Sequence, residues 1–444
     1  MRLIVSIFLI QAALNIGFSS IKAQPVNQTQ KLLINDSLTL SSVLQNVMQT
    51  HPSIKQVEEA LNAAEARIGL AKAGYMPDID VTASYTRLAP VTKFNFPGFG
   101  NIQFFPENNY VTALNYRQNI YDFGKTSGNI KLETENKVLL LKNVDLVKQK
   151  LTIITTNTFF SLVFLQDAII IKDEELRTLK EHLGFIEKRN ATGSATKYEL
   201  LATKVKISTT ESQKTDLFTM RISQTAILNS LMGLSVTNKL FLNNEIEIFS
   251  PVISQDSLLG YALEHRVEML IAKEKESLLK MQFNVVKSQN NPVVNVFVSG
   301  GGKNGYMPTI DKIQPNFSAG LGIHIPLFDS NRMKNNLLQA NSSITSSSYE
   351  TEIVRRNISN EVIENDANRI AASQKINQYE LQLDQAAEAF SLATISFKSG
   401  AITNLDLLDA ETTVSESRLM LLKAKIDYIV SIFRLKTSLG DKLY

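Results

Sequence analysis

The sequence predicts a mixed, mainly α-helical fold in which long antiparallel coiled-coil helices are combined with four β-strands per chain, long enough to cross a membrane. Three observations lead to this prediction: an internal duplication, two long stretches without proline, and four segments in which apolar and polar residues alternate. The chain has 444 residues, of which 44% are hydrophobic, and no cysteine. It is therefore long enough to bury a large core without disulfide bonds.

The duplication organises the chain. Three pairs of landmarks are each separated by 207 residues: Asp122 and Asp329, Gly193 and Gly400, and Gly233 and Gly440. Motifs that recur at one fixed separation indicate a structural repeat. We therefore predict five segments: a signal peptide over 1–23, a first repeat over 24–233, an inter-repeat segment over 234–253, a second repeat over 254–440 and a tail over 441–444.

The predicted signal peptide begins with the positive charge of Arg2, continues with a mostly apolar stretch over 3–18, and ends at Ala23. This order is typical of a secretory signal. A membrane-spanning helix is disfavoured because the apolar stretch is short and is interrupted by Gln11 and Asn15. No other stretch resembles a spanning helix, so a mature chain that enters a membrane would do so as strands.

The stretches without proline indicate long helices. No proline lies between residues 106 and 251, and none follows residue 326. Proline inside a helix costs about 3 kcal/mol or more, so its lack permits long helices. Over 405–433, side chains recur at alternating steps of three and four residues, as in a coiled-coil seam. A helix over about 124–190 would be on the order of 100 Å long, which fits paired rods rather than a compact globule.

Four segments alternate with a period of two residues, as strands with one apolar face do: 79–86, 110–120, 294–298 and 317–327. An ordinary half-buried hairpin in each repeat is one interpretation. The other is a membrane barrel, because the longer segments have the length of a tilted spanning strand. Four strands cannot close a barrel, whereas three copies would supply twelve. The loops 90–109 and 302–314 would then face outward.

The order helix, strand, strand, long helix, turn, helix, repeated once, resembles the TolC-like outer-membrane efflux protein family over about residues 38–439. The motifs that carry the resemblance are two strand-to-helix junctions, a repeat-opening helix and a helical turn: Tyr121-Asp122-Phe123-Gly124, Ile325-Pro326-Leu327-Phe328-Asp329, 262–268 and 397–410.

The resemblance implies a homotrimer, with a twelve-stranded β-barrel in the outer-membrane lipid and a helical α-barrel in the periplasm. Such a conduit docks on a periplasmic adaptor and an inner-membrane pump. It passes drugs, metal ions or secreted proteins without catalysing a reaction. A periplasmic coiled-coil scaffold or adaptor without membrane strands is the alternative.

The two turns between antiparallel helices fall at one end of the rods. Gly193 and Gly400 suit the left-handed residue that ends a helix. The resemblance implies that these tips, with Thr196 and Thr403, contact the adaptor.

The resemblance also places a periplasmic gate at Asp406, Asp409 and Phe397. Asp406 and Asp409 share one helical face, and three copies would present six carboxylates at the entrance. Acids in a first turn also simply favour the positive end of their helix, so both interpretations stay open. Ile402 occupies the position of a family arginine that pairs with an acid, here Glu199, so the ionic lock of some relatives is not formed by these residues.

We expect no enzyme activity, cofactor or metal site. The four histidines, at 51, 182, 265 and 324, do not have the spacing of metal ligands. The glycines at 300–302 lack the Lys-Ser/Thr of a phosphate-binding loop. The formal charge of +3 falls to +1 without Arg2 and Lys22, whereas a nucleic-acid partner would require a strongly basic face.

Overall fold

The computed structural model describes residues 38–98, 100–243 and 255–443. The predicted signal peptide and part of the predicted inter-repeat segment lie outside the described residues.

The described chain contains eight helices and six strands. The first half comprises α1 Leu40–Thr50, α2 Pro52–Ala73, β1 Asp78–Arg87, β2 Lys93–Phe96, β3 Gly100–Gln103, β4 Asn108–Tyr121, α3 Lys125–Ala191 and α4 Lys197–Leu231. The second half comprises α5 Gln255–His265, α6 Val267–Ser288, β5 Val293–Lys303, β6 Gln314–His324, α7 Arg332–Ser399 and α8 Asn404–Leu439. Apart from the β2–β3 hairpin, both halves have the same order of elements.

The two longest helices, α3 and α7, have 67 and 68 residues. At about 1.5 Å per residue each is on the order of 100 Å long, which confirms the long helix predicted over 124–190. The predicted seam on α8 is also largely confirmed, since Leu408, Ser415 and Ile426 are buried. Its first member, Leu405, is 51% exposed, so the predicted seam is not buried at the start of the helix.

Part of α3 is apolar and long enough to cross a membrane by length and composition alone, contrary to the expectation that only strands could do so. Of that stretch, 56% is buried inside the protein. The burial comes from contacts with other helices: Phe159 and Val163 on α3 pack against Val43 on α1, Leu228 on α4 and Ile426 on α8 in the main hydrophobic cluster. The apolar character of α3 is thus explained by packing within the chain.

The four long strands form one antiparallel sheet in the order β1-β4-β5-β6. Strands β4 and β5 belong to different halves, so the sheet joins them. The four predicted strands are confirmed, except that β6 ends at His324 rather than at 327. Pro326 follows shortly afterwards and has no N–H to donate to a strand neighbour.

The short β2–β3 hairpin lies within the loop 90–109 and was not predicted, because four residues are too few to show a period of two. The glycines at 300–302 lie near the end of β5. A side chain on Gly301 would begin 1.9 Å from the Thr112 carbonyl oxygen of β4, so the close approach of β4 requires glycine there.

The sheet and the long helices meet at two similar junctions. The Asp122 carboxylate accepts hydrogen bonds from the Gly124 amide at 3.1 Å and the Thr126 amide at 2.7 Å. Asp329 accepts one from the Met333 amide at 2.8 Å. These bonds satisfy amides that the first turns of α3 and α7 leave free. Because strands precede both long helices and the turns follow them, the sheet lies at one end of the rods and the helical turns lie at the other.

Candidate functional site

The two helical turns lie side by side at the end of the rods that is remote from the sheet. Asn404, the first residue of α8, bridges them: its Oδ1 lies 2.6 Å from His182 Nε2, and its Nδ2 donates to Thr203 Oγ1 at 3.2 Å. Next to these contacts, an apolar cluster that contains Ile186 and Leu407 joins both hairpins. We call residues 186–200 and 393–408 the tip.

The turns of the tip are built in the same way. Gly193 and Gly400 are left-handed, with φ of 75° and 78°. Thr196 and Thr403 cap α4 and α8, and each forms a reciprocal pair of hydrogen bonds with the acid three residues later. The capping role of these four residues is therefore visible in the structure, whereas their contact with an adaptor stays a prediction.

Asp406 and Asp409 are both exposed on the first turns of α8. The Asp406 carboxylate accepts hydrogen bonds from the Thr403 hydroxyl at 2.7 Å and the Thr403 amide at 2.8 Å. These bonds hold the pKa of Asp406 below its ordinary value, so it carries a negative charge at neutral pH. Both acids place negative charge on the exposed surface of the first turns of α8, and their role at a gate stays a prediction.

Phe397 is buried, with only 4% of its surface exposed. Its ring centroid lies 5.3 Å from the His182 ring and 6.2 Å from the Phe185 ring, both in edge-on geometry. The Arg189 guanidinium lies 5.5 Å from the same centroid. In this conformation Phe397 therefore holds the two hairpins together, and a direct place in the tunnel lining stays a prediction.

The two residues at the positions of the family's ionic lock have other contacts here. The Glu199 carboxylate accepts the hydrogen bond of the Thr196 amide at 2.6 Å. Ile402 packs against the apolar cluster of the tip. Apolar packing by Ile402 thus takes up the position that the resemblance assigns to an arginine in the family.

About two turns into α8, a polar cluster lies buried between three helices, and sequence reasoning missed it. We call it the buried junction; it consists of Lys172 and Glu175 on α3, Thr210 on α4, and Glu411 and Ser415 on α8. The sequence did contain one sign of this cluster. Glu411 lies three residues after Leu408 and four before Ser415, on the face of α8 predicted to be buried. A carboxyl group on a buried face is rarely without a specific role.

Comparison with known proteins identifies the family. Residues 43–234 and 258–441 match the family model described as outer membrane efflux protein. This chain belongs to that family. The family consists of channel proteins, and the chain is an outer-membrane export channel whose helical part lies in the periplasm. The alternative of a periplasmic scaffold without membrane strands is not supported.

Individual relatives are distant but cover most of the chain. The alkaline protease secretion protein AprF of Pseudomonas aeruginosa is 21% identical over 75% of this chain and 70% of its own length. The outer membrane protein TolC of Escherichia coli is 19% identical over 92% of this chain and 83% of its own length. Among solved structures, the outer membrane protein VceC of Vibrio cholerae superposes with a TM-score of 0.76 at 19% identity, covering 91% of this chain and 97% of VceC. The structural likeness confirms the predicted fold class.

Proposed function

We propose that three copies of this chain form one continuous conduit through the outer membrane and the periplasm, which receives its cargo from a periplasmic adaptor and an inner-membrane pump and performs no chemistry on it. The observation that carries this proposal is the sheet, which is apolar on one face, polar on the other and open at both edges.

The two faces of the sheet follow from the strand register. Ile79, Tyr116, Val298 and Ala319 are successive partners across the four strands. The next position in the register is occupied by partners on the opposite face: Asp80, Asn115, Ser299 and Ser318. One face is therefore apolar and suits lipid, and the other is polar and suits an aqueous lumen.

The apolar face is exposed in the single chain. On β6, Phe317, Leu321 and Ile323 are 85%, 72% and 68% exposed, and on β1, Val81 is 70% exposed. A large apolar surface of this kind marks contact with lipid or protein rather than with water. Together with membership of an outer-membrane family, it supports a lipid-facing role.

The open edges require further copies. Among the described residues, β1 and β6 each pair on one side only. Unpaired backbone groups in lipid cost several kcal/mol each, so an open sheet is not stable in a membrane. Closure by three copies pairs β1 of one chain with β6 of the next and gives twelve strands. The two repeats proposed over 24–233 and 254–440 would each supply one pair of strands to it.

The lack of native cysteine allows a clean test of this closure. Thr82→Cys on β1 is combined in turn with Asn316→Cys, Ser318→Cys or Gly320→Cys on β6, and outer membranes are oxidised. We expect one register to give covalent dimers and trimers on denaturing gels. Thr82→Cys alone is the control and should not give trimers. A protein that reaches the outer membrane yet is not cross-linked at any of the three registers would contradict the proposal.

The tip is proposed as the docking site for the adaptor. Capping boxes fix the starts of α4 and α8 beside the two turns, and Tyr198 in the first turn of α4 is 71% exposed. A photocrosslinking amino acid at Tyr198 should form an adduct with a periplasmic adaptor in cells. The control position is Ile222, also on α4 and 67% exposed, but distant from the tip. Adducts of equal yield at both positions, or at Ile222 alone, would refute docking at the tip.

A further inference from the structure

The buried junction joins the α3–α4 hairpin to α8, close to the tip. Its five side chains are nearly inaccessible to solvent: Lys172 is 6% exposed, Glu175 5%, Thr210 1%, Glu411 6% and Ser415 4%. Such a group of charged and polar side chains is costly to bury unless every member is paired.

Glu175 is the centre of the buried junction. Its Oε2 accepts hydrogen bonds from Lys172 Nζ at 2.7 Å and from Ser415 Oγ at 2.5 Å, and its Oε1 accepts one from Thr210 Oγ1 at 3.1 Å. The Lys172 ammonium neutralises the Glu175 carboxylate, and the two hydroxyl groups connect it to α4 and α8. The contact between Glu175 and Ser415 thus ties α8 directly to α3.

Glu411 is the second carboxyl group of the buried junction, and its Oε1 has no hydrogen-bond partner. Burial, and then the negative charge of Glu175, raise the pKa of Glu411 to about 8, whereas Lys206 on α4 lowers it. No charged group of α7, which also packs on α8, contributes to this shift. Glu411 therefore holds its proton at neutral pH, and the buried junction then contains one carboxylate and one ammonium.

We propose that Glu411 makes the buried junction a pH-sensitive latch: the protonated group keeps α8 against the α3–α4 hairpin, and loss of the proton releases the tip. This inference rests on the proposed conduit, because it gives the latch control over the periplasmic end of the tunnel. The physical cause is electrostatic repulsion. Deprotonation of Glu411 adds a second negative charge near Glu175, and the single buried ammonium of Lys172 neutralises only one of the two. Moving α8 away readmits water to both carboxylates, and it breaks the contact between Glu175 and Ser415.

The direction of the effect follows from the raised pKa. Below about pH 8 Glu411 is protonated and the latch is closed, and above it the ionised form accumulates. The ionised fraction rises from about one tenth at pH 7 to about nine tenths at pH 9. We therefore expect the occupancy of the open state to rise up to about ninefold over this range.

The test measures purified trimers in planar lipid bilayers at about pH 7 and pH 9. Wild-type channels should open more often at the higher pH. Glu411→Gln keeps the shape of the side chain but cannot ionise, so its channels should respond little. The matched control is Glu416→Gln, an exposed acid of the same helix, which should behave like the wild type. A pH response that persists in Glu411→Gln, or is missing from the wild type, overturns the proposal.

A second measurement separates failure of the latch from failure of the conduit. Spin labels at Ser194→Cys and Ser399→Cys, with labelled chains diluted in unlabelled ones, report the distance between the two turns in detergent. This distance should increase between about pH 7 and pH 9 in the wild-type background and stay constant with Glu411→Gln. An increase without any channel activity would refute the conduit alone, and a constant distance in active channels would refute the latch alone.

Discussion

Replacing Phe397 by alanine should loosen the tip while leaving the main core intact. The ring is 4% exposed and packs with Ile186, Ala195 and Leu407. Truncating a buried phenylalanine typically costs about 3–5 kcal/mol. The edge-on contacts with His182 and Phe185 account for about 0.5–1.5 kcal/mol each beyond area burial, so the loss should lie in the upper part of that range.

The effect should be local because the tip is remote from the main cluster. Phe397 has no contact with that cluster, which lies around Phe159 and Leu228. A local loss of about 4 kcal/mol increases transient opening about a thousandfold. We therefore expect amide hydrogen exchange to accelerate by about this factor over residues 186–200 and 393–408, with little change around Phe159.

Hydrogen exchange with mass spectrometry of the purified protein measures this directly. The control is Leu405→Ala, which removes a side chain of the same tip that is 51% exposed, and it should change exchange much less. Unchanged exchange at the tip of Phe397→Ala would show that the ring does not stabilise it. Equal acceleration in the tip and in the main cluster would contradict the argument that the two are independent.

Three further predictions follow from single contacts. Thr403→Ala removes the cap of α8 and should destabilise the tip by about 1 kcal/mol, seen as faster exchange there and restored by Thr403→Ser. Gly301→Ala places a Cβ 1.9 Å from a β4 carbonyl oxygen and should prevent recovery of folded protein from outer membranes, whereas Gly300→Ala, whose Cβ has open space, should be tolerated. Asp406→Ala combined with Asp409→Ala should weaken cation selectivity in bilayers, and unchanged selectivity would refute the carboxylate ring. The selectivity of the wild type should persist as the pH falls towards 4, because hydrogen bonds from Thr403 hold the pKa of Asp406 low.

Much of the fold was predictable because its signals are local and periodic. The 207-residue separation and the lack of proline after residue 326 are properties of the sequence alone. They indicated the two halves and the long helices, since one proline would interrupt a helix. The alternation in β1 and β4–β6 indicated the strands for the same reason: side chains of a strand point alternately to its two faces.

The tip was predicted in part. Gly193 and Gly400 indicate helix ends because glycine adopts a left-handed conformation at little cost. Thr196 and Thr403 indicate helix starts, because threonine is a preferred N-cap residue. Phe397 could not be assigned from sequence. Whether an aromatic side chain lines a tunnel or packs inside a hairpin depends on His182 and Arg189, which precede it by more than two hundred residues.

The sequence by itself thus determined the helices, the strands and their repetition, because each depends on neighbours within a few residues. Only the tertiary structure decided that β4 pairs with β5, that Glu411 lies beside Glu175, and that the apolar stretch of α3 is core. Each of these depends on contacts between distant segments, and the carboxyl group of Glu411 keeps its proton at neutral pH because such contacts exclude water and, to a smaller extent, place the negative charge of Glu175 nearby.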